Sequence, residues 1–356
     1  ELAYDEETNE IVAPTFRQDI HSTADLAEEV ARFYGYDAVP STLPTGAATM
    51  GGKSKKRRIE EIAQQTAQYC GFSEGMSYSF ESPKVFDKLL IPQDSKLRDA
   101  IVISNPLGED FSIMRTISLN GMLSSLAFNQ NHRNKDVRLY ELGNIYLPEK
   151  LPLDKLPDER MQLTLGMYGE GDFFTLKGVI EEFFERAGLR GETKWDPADK
   201  KPFLHPGRQA DIVYEGIKVG YIGEVHPAVM DNYGLSEKTY VAVLDMPLIT
   251  EKAGFDRKYV GIARFPAVTR DISMLVPKNI LAGTVEDMIR QRGGKMLESC
   301  SLFDLYEGVQ VKPGHKSMAY SLSFRSPDKT LGDQEVGAAM KKIWNGLESL
   351  GIEIRS

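Results

Sequence analysis

The stretch from Met114 to Tyr146 constrains the fold most, because a helical pattern runs directly into a strand pattern. Its first half repeats large apolar residues at helical spacing, which predicts a helix packed along one stripe: Leu119, Met122, Leu123 and Leu126. The second half, VRLYELGNIY, is short and rich in β-forming residues, so it predicts a strand. Side-chain alternation gives this strand two faces, namely Val137, Leu139 and Gly143 against Tyr140, Leu142 and Tyr146.

The segment 53–248 alternates helices and strands around that stretch. Helical patterns such as Phe173–Gly188 are separated by strand patterns such as Ala100–Ser104 and Arg160–Gly169. Strands that follow one another without a helix, as in RQADIVYEGIKVGYIGEVHP, favour hairpins and a mainly antiparallel sheet. We therefore expect an α+β core in which helices flank an antiparallel sheet, and not a parallel Rossmann sheet.

The segment 262–356 follows the order strand, helix, strand, strand, helix, strand, which is that of a ferredoxin-like split βαβ fold. These elements are predicted at Val268–Val276, Thr284–Arg292, Leu297–Glu307, Lys316–Arg325, Asp333–Leu347 and Ile352–Arg355. In the third strand the large residues alternate toward the helices, namely Met318, Tyr320, Leu322 and Phe324. The opposite, open face carries Ser317, Ala319, Ser321, Ser323 and Arg325. Small polar residues ending in an arginine allow a nucleic-acid backbone or an unstacked base to approach, although the aromatic pair of RRM domains is lacking.

Charge and cysteine content limit the classes of function. A net charge of −9 argues against uniform coating by nucleic acid, but from Ile262 onward 13 Lys and Arg face 11 Asp and Glu. The C-terminal segment is therefore the better candidate for RNA contact. No apolar run reaches the ~20 residues that span a bilayer, so no membrane partner is expected. Cys70 and Cys300 lie far apart, which favours a reducing cytoplasm without a disulfide framework.

An acidic helix is predicted near the N-terminus. Ser22 or Thr23 caps it, Gly35 ends it, and its buried side is expected to contain Leu26, Val30, Phe33 and Tyr34. The other side contains Asp25, Glu28 and Glu29, with Asp19 a short turn upstream. Four carboxylates so placed can bind a hard cation such as Mg²⁺. The same spacing also fits a capping box between Ser22 and Asp25 with acidic residues at the positive end of the helix dipole.

Several motifs in order give the chain a family resemblance. NPLGED, then RT before a helix, then an aromatic-Glu-x-Gly strand resemble the class II core of the bacterial phenylalanyl-tRNA synthetase β subunit. RFPAVTRDISMLVP, LFDLYEG and KSMAYSLSFRSPDKTLGDQEV resemble the ferredoxin-fold anticodon-binding domain of that subunit. The resemblance runs from Pro14 to the C-terminus. Because the chain begins with Glu1 in mid-pattern, we expect a C-terminal fragment of a longer protein.

The resemblance implies an organisation into domains and a set of partners. Residues 1–40 would be the tail of an upstream domain, 41–52 a linker, 53–248 a catalytic-like but inactive class II core, 249–261 a second linker and 262–356 the anticodon-binding domain. The family enzyme is an α2β2 heterotetramer in the cytoplasm that attaches phenylalanine to tRNA(Phe), and ATP is bound by the α subunit. This chain would dock that subunit and contact the tRNA.

The resemblance also implies site residues. The Asp-x5-Asp-x2-Glu-Glu pattern of the family, a Mg²⁺ site shared with the α subunit, falls on Asp19, Asp25, Glu28 and Glu29. The expected tRNA contacts are Arg264, Phe265, Arg270, Ser321, Arg325 and Lys329, although each could be structural instead and Phe265 is expected in the core.

No catalytic residue is predicted in this chain. Adenylate formation needs cations that stabilise phosphate, and a class II site supplies arginines on its second motif and on the helix after its last strand. Here the last strand runs into GYIGEVHPAVMDNYGL, with Glu224 and a His-Pro turn where an arginine-bearing helix is needed. Arg138 could contact a nucleotide, but no Walker pattern and no GxGxxG accompany it. The rival hypotheses are a free-standing class II-like adenylate-forming ligase and a scaffold without an RNA role.

Overall fold

The computed structural model describes residues 2–197 and 200–355, and it divides into two compact units, 1–52 and 53–356. In the first unit, strands β1 (Ala3–Asp5) and β2 (Glu10–Val12) form an antiparallel pair. Helix α1 (Thr23–Tyr34) follows, with Ser22 as its N-cap and Gly35 as its C-cap. The predicted bounds of this helix are confirmed.

The apolar face of α1 is not buried within this unit, so that prediction was wrong. Val30, Phe33 and Tyr34 are 69%, 82% and 71% exposed, and no residue of the helix is buried. The physical reason is that residues 2–52 contain one α-helix, a short 3-10 helix and a two-stranded pair, which is too little structure to cover an amphipathic face.

In the second unit, seven of the described strands form one sheet in the order β3-β6-β7-β11-β10-β9-β8. Only the β3–β6 pair is parallel, and the other neighbours are antiparallel. The strands are β3 (Ser73–Glu74), β6 (Val137–Leu147), β7 (Asp158–Tyr168), β8 (Thr193–Asp196), β9 (Leu204–Tyr214), β10 (Ile217–Val225) and β11 (Thr239–Asp245). A separate short pair joins β4 (Phe80–Glu81) to β5 (Ile113–Met114). The antiparallel α+β core is therefore confirmed.

Helices cover both faces of this sheet. They are α2 (Lys55–Tyr69), α3 (Val85–Lys88), α4 (Leu119–Asn131), α5 (Phe173–Ala187), α6 (Pro227–Tyr233) and α7 (Met246–Lys252). α2, α5 and α7 pack on the face that contains Tyr140, whereas α3, α4 and α6 pack on the face that contains Val137. The predicted stripe of α4 is at most 2% exposed. The predicted alternation along β6 is therefore correct.

Two predicted boundaries differ from the structure. The strand expected at 100–104 is reduced to one bridge between Val102 and Ile113. The linker expected from residue 249 overlaps α7, in which Ile249 is fully buried and Asp245 accepts a capping hydrogen bond from the Leu248 N–H (3.1 Å). Core packing and a cap therefore extend ordered structure to Lys252, and residues 254–267 contain no helix or strand.

The C-terminal segment forms a sheet of the order β13-β14-β12-β15, antiparallel throughout. Its elements are β12 (Val268–Pro277), α8 (Ala282–Gly293), β13 (Leu297–Tyr306), β14 (His315–Phe324), α9 (Asp333–Glu348) and β15 (Glu353–Arg355). Met318, Tyr320, Leu322 and Phe324 are at most 1% exposed and pack with the helices. This is the expected split βαβ fold. On the face away from the helices, here called the open face, Ser317 and Ala319 are only 8% exposed, whereas Ser321 and Ser323 are half-buried. In the described part of the chain, no helix is both long and apolar enough to cross a bilayer.

Candidate functional site

The centre of the core holds a buried arginine, Arg115, which belongs to the RT motif. Arg115, 3% exposed, donates from Nη1 to Glu141 Oε1 (2.8 Å) and to Ser77 Oγ (2.9 Å). Its Nε donates to the Asn144 carbonyl (2.7 Å). Glu141 is 5% exposed, and its Oε2 accepts from Ser77 (2.7 Å). The guanidinium is therefore fixed between the strand β6 and the segment that precedes β4.

Two glycines make this arrangement possible. A Cβ on Gly143 would lie 2.1 Å from Arg115 Nη2, and a Cβ on Gly121 would lie 2.2 Å from Ser77 Oγ. Contacts that short force the neighbours to move. The RT and Glu-x-Gly motifs thus read as one structural unit in which glycine leaves room for the arginine and glutamate neutralises it.

Strand β9 carries a second fixed arginine, which is paired with a glutamate on β10, the strand before α6. Glu224, 5% exposed on β10, accepts from Arg208 Nη1 with both carboxylate oxygens (2.7 and 2.8 Å). His226 caps α6 through Nδ1, which accepts from the Ala228 N–H (3.1 Å), and α6 contains no arginine or lysine. A helix that offers only its capping histidine cannot supply the cation for a γ-phosphate.

Two further arginines of the sheet make exposed or part-buried hydrogen bonds. Arg138, the possible nucleotide contact, donates from Nη2 to the Glu170 carbonyl (2.9 Å). Arg160 donates to Asp245 at the N-cap of α7. Arg115 and Glu141 pair although they are 26 positions apart in sequence. In the sequence, the only signal for this pairing is the aromatic-Glu-x-Gly motif that contains Glu141.

The acidic helix places its carboxylates around arginines. Arg17 donates to both oxygens of Asp19 (2.9 and 2.7 Å) and to Glu29 Oε1 (2.6 Å). Arg32 donates to Glu29 Oε2 (2.6 Å). Asp25 accepts from the N–H groups of His21 and Ser22 and forms the capping box.

These contacts stabilise the charged carboxylates without a metal ion. Hydrogen bonds from Arg17 lower the pKa of Asp19 to about 2, and Arg17 and then Arg32 lower the pKa of Glu29. The backbone N–H of His21 and the Ser22 side chain lower the pKa of Asp25. No three His, Cys, Asp or Glu side chains within 2–197 and 200–355 are grouped so that they could hold a metal ion. As arranged here, the predicted Mg²⁺ ligands do not fit a cation.

The predicted tRNA contacts lie at one end and on the open face of the split βαβ sheet. Arg325 donates to Glu298 (2.8 Å) and to the Phe265 carbonyl (2.7 Å), and Phe265 is half-buried, not a core residue. Exposed ion pairs join Arg270 to Asp333 (2.7 Å) and Lys329 to Glu335 (2.6 Å).

The remaining two candidates differ in exposure. Ser321 is half-buried in β14, opposite Asp271 on one side and Ser301 on the other. Arg264 is exposed in the segment before β12. The structure therefore places Arg325 at the end of β14 and places Arg270 and Lys329 beside the first turn of α9, and acidic neighbours compensate all three.

Known families match the three parts of the chain. Residues 39–246 match a family described as "Phenylalanyl tRNA synthetase beta chain CLM domain". Residues 263–355 match "Ferredoxin-fold anticodon binding domain", and residues 1–36 match "tRNA synthetase B5 domain".

Curated relatives are similar along almost the whole chain. The phenylalanine–tRNA ligase beta subunit of Clostridium acetobutylicum is 44% identical over 347 residues, which cover 97% of this chain and 44% of that protein. The beta subunit of Clostridium tetani is 42% identical, with 98% of this chain and 44% of the relative covered. That of Symbiobacterium thermophilum is 36% identical, with 97% and 40% covered. The chain spans less than half the length of these relatives.

Proposed function

The chain belongs to the phenylalanyl tRNA synthetase beta chain family, and from that premise we propose that it is a non-catalytic part of a phenylalanine–tRNA ligase. It docks a catalytic α subunit through its class II-like core and binds the anticodon region of tRNA(Phe) through its split βαβ domain. The ligase is an α2β2 heterotetramer that works in the cytoplasm and uses ATP, which the α subunit binds.

The single observation that carries this proposal is that two arginines of the core are paired with glutamates. Arg115 and Arg208 each donate to a buried glutamate, and α6 contains no cation for a phosphate. Breaking the buried Arg115–Glu141 pair costs about 3–5 kcal/mol, more than a transient phosphate contact repays, whereas the Arg208 side chain is 52% exposed and is held by buried Glu224. A core whose arginines are held by glutamates is better suited to docking a partner subunit than to catalysing adenylate formation.

Co-expression with an α subunit tests the docking role. We expect the tagged chain to retain the α subunit through size-exclusion chromatography and the pair to attach phenylalanine to tRNA(Phe). If the α subunit elutes separately under conditions in which both chains are folded, the docking role fails. Retention without any tRNA binding would instead favour the scaffold hypothesis.

Support for the tRNA-binding role comes from the C-terminal sheet. Small side chains of β14, among them Ser321, line its open face. Arg264, Phe265 and Arg325 lie where β12 begins and β14 ends, and Arg270 and Lys329 pair with the first turn of α9. Their partners Asp333, Glu298 and Glu335 are exposed, and such surface pairs contribute only about 0–1 kcal/mol. Phosphate groups can therefore replace these carboxylates at little cost.

The Mg²⁺ site remains a proposal that depends on a rearrangement. Asp19, Asp25, Glu28 and Glu29 can share a cation only if Arg17 releases Asp19 and Glu29 and a partner adds further oxygen ligands. We expect Arg17→Gln to tighten Mg²⁺ binding by the α–β complex, whereas Glu28→Gln, which leaves the helix cap intact, weakens it. Arg186→Gln, which breaks an exposed pair with Glu182 in the second unit, is the matched control. Isothermal titration with Mg²⁺ measures the affinities, and equal values for all four proteins would remove this site.

A further inference from the structure

Positive charge is concentrated on the core where α2 begins. Residues 53–58 contain no carboxylate and five exposed cationic side chains: Lys53, Lys55, Lys56, Arg57 and Arg58. Residues 251–258 contact this helix start, and the two segments together are called here the α2 basic surface. The Lys55 ammonium donates to the Glu251 carbonyl (3.1 Å). The Arg58 guanidinium lies over the Phe255 ring, 3.7 Å from its centroid.

Carboxylates balance only part of this charge. Glu61 accepts from the Lys53 ammonium (2.7 Å) and lies 3.4 Å from Arg57 Nε. Glu60 lies 3.6 Å from Arg57 Nη1 and 4.0 Å from the Lys56 ammonium. Five cations therefore share two carboxylates at the helix start, a net charge of +3, and the second segment adds three cations and two carboxylates. The whole chain has a net charge of −9, so this surface is opposite in sign to the molecule as a whole.

The stability of α2 does not explain this charge. Cations in the first turn of a helix lie at the positive end of its dipole, where they are unfavourable. α2 has no acidic residue in its first turn, and its buried side chains begin at Ile59. Charges that disfavour a helix and take no part in its packing are expected where a surface has a binding role.

Arg58 is held in a fixed orientation with its donors free. The Phe255 ring covers one face of the guanidinium plane. Within the described part of the chain, Arg58 makes no hydrogen bond and no ion pair, so its N–H groups have no protein acceptor. A guanidinium fixed by an aromatic ring loses little freedom when it donates two parallel N–H groups to phosphate oxygens. Lys55, three positions earlier on the same helix face, adds a charge that its carbonyl partner does not neutralise.

The composition of the surface favours a polyanion over a protein partner. The centres of protein–protein interfaces are depleted in lysine and enriched in aromatic residues. Residues 53–58 are three lysines, two arginines and a serine, with no apolar side chain. A nucleic-acid backbone offers closely spaced phosphates, and cations that neutralise them release bound counterions. Charge complementarity therefore favours the RNA that the proposed function already requires.

We propose that the α2 basic surface binds the sugar–phosphate backbone of tRNA(Phe) outside its anticodon stem-loop, and that Arg58 and Lys55 make the main phosphate contacts. The proposal rests on the proposed function, since it concerns a second contact with the same RNA. Phe255, which holds Arg58, belongs to the segment 254–267 that leads directly into the C-terminal domain. Phosphate contacts add affinity without reading the base sequence, so this surface increases the salt dependence of binding.

Fluorescence anisotropy of the full 356-residue chain tests this contact with two labelled probes, whole tRNA(Phe) and its isolated anticodon stem-loop. The double variant Lys55→Gln, Arg58→Gln should bind whole tRNA about tenfold more weakly, and its slope of log affinity against log salt should be lower by about two. Its affinity for the stem-loop should not change. The matched control Lys150→Gln, Lys155→Gln removes the same charge from the exposed loop between β6 and β7 and should leave both affinities unchanged.

Glu61→Gln tests the same surface with the opposite sign. It releases Lys53 and Arg57 from their carboxylate, so whole tRNA should bind about two- to threefold more tightly. Circular dichroism checks that each variant is folded.

The proposal is overturned if the folded double variant binds whole tRNA as the wild type does, or if the control pair weakens binding as much. Loss of stem-loop affinity in the double variant would contradict it too, because the effect would then act through the C-terminal domain. Loss of α-subunit retention with unchanged tRNA binding would assign the surface to a protein partner instead. If the wild-type chain binds whole tRNA but not the stem-loop, and the double variant loses that binding, the anticodon role fails while this contact is supported. If the wild-type chain binds no whole tRNA, both fail.

Discussion

The core and the C-terminal domain use arginine in opposite ways. In the core, Arg115 and Glu141 have side chains only 4% and 7% exposed and lie within a network that includes Ser77. In the C-terminal domain, Arg270 and Asp333 have side chains 42% and 91% exposed, and Lys329 and Glu335 are similarly accessible. Both domains pair a basic side chain with a carboxylate, but the Arg115 pair is buried and the pairs of the C-terminal domain are exposed to solvent.

This difference decides what each domain can bind. Removing one partner of a buried pair leaves an uncompensated charge in a poorly solvated place, at a cost of about 3–5 kcal/mol. An exposed pair contributes about 0–1 kcal/mol and exchanges partners readily. Arg115 is therefore structural, whereas the exposed pairs of the C-terminal domain can exchange their carboxylates for phosphate groups in the proposed tRNA complex.

The largest effect is expected from breaking the buried pair. Arg115→Met should lower the free energy of unfolding of the core by about 3–5 kcal/mol, because Glu141 is left buried and unpaired. Trp195 in β8 and Trp344 in α9 are the two tryptophans, so urea unfolding in a Trp344→Phe background reports on the core alone.

The matched variant for this comparison is Arg270→Met, followed through Trp344 in a Trp195→Phe background. Its pair with Asp333 is exposed, so we expect less than about 1 kcal/mol of change. Equal losses in the two domains would show that burial does not distinguish their arginines.

A smaller but pH-dependent effect is expected at Glu81. Its pKa is raised from 4.5 to about 7, so the folded core binds this proton more tightly than the unfolded chain. The associated stability is fully present below about pH 4.5 and is lost as the pH rises through about 7, in total about 3 kcal/mol. Glu81→Gln should lack this component of the decline, which urea unfolding over that pH range measures. A wild-type profile parallel to that of the variant would contradict the raised pKa.

The smallest effects concern tRNA binding by the exposed arginines. Arg325→Ala should weaken binding of tRNA(Phe) about fivefold and lower the slope of log affinity against log salt by about one. Glu298→Gln should strengthen binding, because it frees Arg325 and removes a negative charge. Lys312→Ala, which breaks a comparable exposed pair with Glu353, serves as the control. Fluorescence anisotropy at several salt concentrations would reveal salt-independent binding, which would contradict phosphate contact.

Local patterns predicted the fold well, since side-chain periodicity reflects burial. The stripe Leu119–Leu126 and the alternation of Met318 to Phe324 are buried as expected, because each packs against a layer that the same domain supplies. The apolar face of α1 has the same periodicity but is exposed, because periodicity does not show whether a covering layer is present.

The candidate site was predictable only in part, because its contacts join distant positions. Ser22 and Asp25 were recognised as a capping box, since both partners lie within one turn. Arg17 was not expected to hold Asp19 and Glu29, and neither was Glu141 expected to hold Arg115. Such pairs depend on the approach of separate elements, which residue spacing does not encode.

ATP–pyrophosphate exchange with phenylalanine tests the central claim, that the arginines of this core are structural and not catalytic. The chain alone should show no exchange above the buffer rate, while the same preparation mixed with the α subunit should show it. Exchange by the chain alone that disappears in Arg208→Met would contradict the account.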